Sequence, residues 1–102
     1  PAVTTLTVVG GAVSVAATVA ARRFFADNGA STTLTVSAVT GLTNGGEPIT
    51  LAVKTTGAGL TITWPGTPVT WGDAPTAAGE YVFLLWLNSS GVLNVLNPGD
   101  SG

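Results

Sequence analysis

The sequence predicts an all-β fold: a single domain of about six to eight short strands. Two observations carry this. Apolar and polar residues alternate with period two in one stretch after another, and glycine, proline and asparagine turn signals interrupt them at short intervals. The 17 Thr and 6 Ser provide neutral polarity suited to outward strand faces.

In chain order, Thr5-Leu6-Thr7-Val8 alternates until Gly10-Gly11 breaks it. Val13, Val15, Ala17 and Val19 then share one face of an extended stretch. Residues 13–26 carry the one ambiguity. Val13, Ala17, Ala20, Ala21 and Phe24 also fit a helical stripe ended by Asn28-Gly29, whereas the β-branched residues at period two favour a strand. Thr33-Leu34-Thr35-Val36 alternates next, and 41–48 reads as a loop tightest at Asn44-Gly45-Gly46. Ile49, Leu51 and Val53 alternate with Thr50, Ala52 and Lys54; Thr56-Gly57-Ala58-Gly59 turns the chain into Leu60–Trp64. Residues 65–75, rich in Pro and Gly, read as irregular but ordered, with Trp71 needing a packing partner. The unbroken apolar run from Tyr81 to Leu87 predicts a strand buried on both faces, with Trp86 in the core. Asn88-Ser89-Ser90-Gly91 turns it back into Val92–Leu96, the clearest hairpin. Residues 97–102 read as a frayed tail, and 1–20 as a possible anchoring or inter-subunit segment.

Composition narrows the function. Only 8% of the 102 residues are charged against 45% hydrophobic, with a net charge of −2. Soluble domains carry roughly 25% charged residues. A small domain leaves over a third of its unfolded-chain surface exposed. Too few ionised side chains are present to cover that surface, so burial against other copies of the same chain is expected. Three basic residues (Arg22, Arg23, Lys54) make a poor nucleic-acid footprint, so no nucleic-acid partner is expected. No apolar run reaches the ~18 residues of a membrane helix, and no membrane partner is expected. Pro1 is compatible with removal of an initiator methionine.

Chemistry finds little to work with. His, Cys and Met are absent, which removes disulfides, Cys/His zinc sites and Ser-His or Cys-His nucleophiles from this chain. Asp73 and Glu80 are the nearest acidic pair, and Asp73 lies beside Trp71, but a turn and a strand start explain both. Catalytic residues, a metal site and cofactors are therefore all expected to be absent. Arg22-Arg23 reads as a pairing partner for Asp27 or Glu47, Gly57-Ala58-Gly59 as a turn, and Asn88-Ser89-Ser90 as a hairpin turn rather than a glycan acceptor. Trp64 and Trp71 are the candidates for partner or glycan contact, expected to pack near each other. Phe83, Leu85 and Leu87 are the candidates for an interface between copies.

Leu60-Thr61-Ile62-Thr63-Trp64-Pro65, then Trp71-Gly72-Asp73-Ala74-Pro75-Thr76, then the Glu80–Leu96 hairpin, resembles a module of bacteriophage fibre proteins, in which a TxTWP strand end leads through a W…G…PT loop into an apolar strand. The likeness spans roughly 24–96 and rests on about a dozen residues of the second half. Gly72-Asp73-Ala74 departs from the two glycines that often precede PT in that family, and the first twenty residues have no counterpart. The resemblance implies a non-enzymatic virion protein: a trimeric capsid decoration, head-fibre or fibre module, built as a small β-sandwich, β-prism or intertwined β-strand module. It implies location in the virion and contact with other capsid or tail proteins. The alternative is a receptor- or carbohydrate-binding module at a tail-fibre tip, taking a host surface glycan.

Overall fold

A computed structural model describes residues 3–98. It is all-β, with nine short strands and no helix among the described residues. They are β1 (Thr4–Leu6), β2 (Ala12–Ala16), β3 (Arg23–Asp27), β4 (Thr33–Thr40), β5 (Ile49–Thr55), β6 (Thr61–Thr63), β7 (Val69–Trp71), β8 (Gly79–Leu87) and β9 (Leu93–Leu96). The ambiguity at 13–26 resolves as strand. The period-two valines form β2, a bend follows at 17–22, and Phe24 enters β3.

The first six strands alternate between two sheets. β1, β3 and β5 lie side by side in one, β2, β4 and β6 in the other, and all these neighbours pair in parallel. The chain thus winds as three coils, each contributing one strand to each sheet. Parallel neighbours need a crossover connection, and here the crossover is a strand of the opposite sheet rather than a helix. After β6 the chain returns to the first sheet, extending it to the order β1-β3-β5-β8-β9-β7. β8 runs antiparallel to both β5 and β9. The β8–β9 connection is the expected hairpin: Asn88 N–H donates to the Val92 carbonyl, and Asn88 Oδ1 accepts from the amides of Ser90 and Val92. Other strands adjacent in sequence do not pair along their length, because the turns that look like hairpins carry the chain across the core instead.

The core fills the space between the sheets. In the six-stranded sheet, Phe24, Leu51 and Phe83 form one inward cross-strand row, Ala26, Val53 and Tyr81 another, and Ile49, Leu85 and Val95 a third. Val13, Val15, Leu34 and Val36 face them from the three-stranded sheet. Burying such side chains contributes roughly 25 cal/mol per Å² of apolar surface removed from water, the main favourable term here.

The coil corners are polar but satisfied. Asn28 follows β3 and Thr55 ends β5 at the stacked position one coil later. Asn28 Nδ2 donates to the carbonyls of Ser31 (3.2 Å) and Thr33 (2.9 Å), and Thr55 Oγ1 donates to that of Ser31 (2.8 Å). Both side chains are buried, and no described buried side-chain polar atom lacks a partner. Gly41, with φ +83°, closes the bend after β4; a Cβ there would run into the Ala17 carbonyl.

Candidate interaction surface

Because the side-chain period of a strand is two, each inward row of the six-stranded sheet has an outward counterpart. Four outward rows follow one another along the strands. The first is Asp27, Lys54 and Glu80. The second is Thr5, Phe25, Ala52 and Val82. Arg23, Thr50, Leu84, Leu96 and Trp71 make the third, and Trp86, Asn94 and Val69 the fourth. Apolar groups therefore dominate three rows of a face over which the described chain lays no second layer, although Asn94, bonded by Trp71, is buried on it. Val82 is 52% exposed, Trp71 52% and Leu96 42%, while Phe25, Leu84 and Trp86 are half-buried among their neighbours. A shallow depression of about 450 Å³ runs over the second row between Val3, Arg23, Phe25 and Val82. Of the charged residues on this face, Asp27, Lys54 and Glu80 form the row at one end, and Arg23 stands on β3 in the third row beside Thr50.

This geometry moves the expected interface. Phe83 and Leu85 are sealed inside the subunit, 1% and 0% exposed, and Leu87 is half-buried. The apolar run is not buried on both faces: its odd-numbered residues build the core, and its even-numbered ones, Val82, Leu84 and Trp86, face out. Trp86 accordingly belongs to the outer face rather than the core. A run without alternation gave no cue to which set faced inward.

The other two tryptophans lie on opposite sides of the sheet instead of together. Trp64 packs edge-on against Phe83, with ring centroids 5.7 Å apart and planes at 64°, at the margin of the core. Trp71 stands on the outer face, its Nε1–H donating to Oδ1 of the buried Asn94 at 2.9 Å. Asn94 Nδ2 in turn donates to the Val92 carbonyl, so the indole is held while its ring stays exposed. Asn97, placed by sequence in a frayed tail, donates its amide to the Trp71 carbonyl (2.8 Å). Residues 99–102, and Pro1, lie outside the described residues.

Arg22 donates to the backbone carbonyl of Glu47 at 2.8 Å, which ties the bend before β3 to the loop before β5. Glu80 sits opposite Lys54 across strands, and Asp73 is exposed in the loop after β7. Among the described residues no group of three or more His, Cys, Asp or Glu side chains could hold a metal ion. A second cleft, about 500 Å³, lies between the end of β4, Pro65–Thr67 and the β8–β9 hairpin, and its lining carries no ionisable side chain. Comparison with protein-family models, curated proteins and solved structures finds no significant match to this chain.

Proposed function

We propose that this chain is a non-enzymatic structural module of a bacteriophage virion, a capsid decoration, head-fibre or fibre piece that assembles with copies of itself in threes. The observation that carries the reading is the outer face of the six-stranded sheet. Its apolar rows containing Phe25, Val82, Leu84, Leu96 and Trp71 lie open on a chain with only eight charged residues. Exposed contiguous apolar surface of this kind marks a contact with another macromolecule. Aromatic residues are enriched at such contacts, as Phe25, Trp71 and Trp86 are on this face, and charge is depleted at their centres, which matches the Asp27–Lys54–Glu80 row at one end of it. Copies sharing a three-fold axis would sequester these rows. The TxTWP and W…PT residues in β6, β7 and their loop add the virion context, through their likeness to fibre modules. Light scattering on the purified chain tests assembly: the expected mass is three times 10.1 kDa, or a multiple of that. A mass of one chain up to millimolar concentration overturns the reading.

Trp71 supports a second reading, a glycan-binding module at a fibre tip. Its indole is anchored through Asn94 with the ring accessible, an arrangement suited to stacking on a sugar. Trp64 is engaged with Phe83 and does not serve this role. Titration with bacterial surface glycans should then quench or shift tryptophan fluorescence, and Trp71→Ala should abolish the response; an unchanged spectrum across the glycans removes this reading.

A further inference from the structure

The two ends of the coil are finished differently. The six-stranded sheet ends in β1 and β7, and the three-stranded sheet in β2 and β6. β6 and β7 are three residues each, with Pro65 and Pro68 in the segment between them. Short edges and prolines are the usual devices that stop a strand edge from recruiting another strand. The first coil, 3–21, has no proline and no charged side chain. Its edge strand β2 is five residues long. The irregularity in the β2–β4 register inserts its extra residue, Ser37, on β4, so β2 itself is unbulged. Thr35 N–H reaches the Gly11 carbonyl and Ala17 N–H the Thr40 carbonyl, so the odd-numbered residues of β2 bond β4 and the even-numbered ones face away. Ala12 is answered by Val9 across the Gly10-Gly11 turn. Ser14 and Ala16 present their backbone groups at the open edge. The first coil also holds three of the most exposed apolar side chains, Val3 (54%), Val9 (72%) and Val19 (100%).

We propose that the open edge of β2 is the seat of a second copy of this chain, joined like edge to like edge about a two-fold axis. The unpaired amides and carbonyls of Ser14 and Ala16 call for another β-strand. The absence of any charge from 3–21 lets an identical edge approach without repulsion, and antiparallel pairing about a two-fold is self-complementary. Val9 and Val19 flank β2 at its two ends and lose water in the same step. This rests on the self-assembly reading above but uses a different surface, so the two can fail separately.

The test is the mass of the full chain by light scattering between micromolar and millimolar concentration, with amide hydrogen exchange at Ser14 and Ala16. The edge contact requires an even number of copies: two if it acts alone, six if the outer faces also gather threes. Val9→Lys with Val19→Lys, both exposed side chains outside β2, should halve that number and speed exchange at Ser14 and Ala16 at least tenfold, with the circular dichroism unchanged. Ser14→Lys, on an exposed position of β2, should do the same. Three copies in the unmodified chain, or an even mass untouched by these variants, overturns the edge contact while leaving the outer face in place. Two copies uphold it and count against assembly in threes, and one copy overturns both.

Discussion

The two faces of strand β8 are made from the same residue types and do opposite work. Tyr81, Phe83 and Leu85 are buried and hold the sheets together, whereas Val82, exposed, and Leu84 and Trp86, half-buried, contribute an outer surface over which the described residues lay no second layer. Hydrophobicity alone does not distinguish them. What does is the presence of a second layer on one side only: the three-stranded sheet, with Leu60 and Trp64, lies over the odd-numbered residues. The same apolar chemistry is folding energy on one face and, under the proposed assembly, would be association energy on the other.

Substitutions can break that contrast, and the largest expected effect lies inward. Phe83→Ala should cost about 3–5 kcal/mol, from lost transfer energy and the cavity left beneath Trp64 and Leu51, read as a lower urea midpoint. Val82→Ala, one residue away, should change stability by less than about 0.5 kcal/mol. Equal losses at the two positions would mean that the outer face is covered within the subunit. Gly41→Ala should come next: the positive φ alone costs about 1–2 kcal/mol, and the collision with the Ala17 carbonyl adds to it, lowering Tm by several degrees. Asn28→Ala should cost about 1–3 kcal/mol, because the Ser31 and Thr33 carbonyls lose their side-chain donor at a buried corner. Trp71→Phe removes one hydrogen bond to Asn94 and should cost about 1 kcal/mol, with a visible change in fluorescence. The smallest effect on stability and the largest on assembly belong to Val82→Lys with Leu84→Lys. That variant should match the unmodified chain's unfolding midpoint at dilutions where both are dissociated, while at assembling concentrations its mass falls threefold and its midpoint no longer rises with concentration.

Particular residues show how much was legible beforehand. The alternation of Leu34 and Val36 with Thr33 and Thr35, and of Ile49, Leu51 and Val53 with Thr50 and Ala52, identified both the strands and their inward faces. Period-two patterning reports directly which side chains meet a core. Asn88–Gly91 identified the hairpin, because its turn bonds are local. The interaction surface was less visible. Its residues sit in the run 81–87, where both parities are apolar, so no pattern separates Phe83 and Leu85 from Val82 and Leu84. Asn28 read as an ordinary turn residue and Thr55 carried no signal of its own, and only the stacking of one coil on the next made them buried donors to the same Ser31 carbonyl.

The amino-acid string by itself determined the strand class, the faces of the alternating strands, the shortage of charge and the absence of nucleophile or metal chemistry based on His or Cys. These depend on local periodicity and on counting, and no partner strand enters either. Tertiary structure decided that consecutive strands cross to opposite sheets, that β8 and β9 slot between β5 and β7, and that one side of β8 is roofed while the other is bare. Those outcomes depend on which distant segments meet, and a strand's alternation is equally satisfied by any neighbour that presents an apolar face.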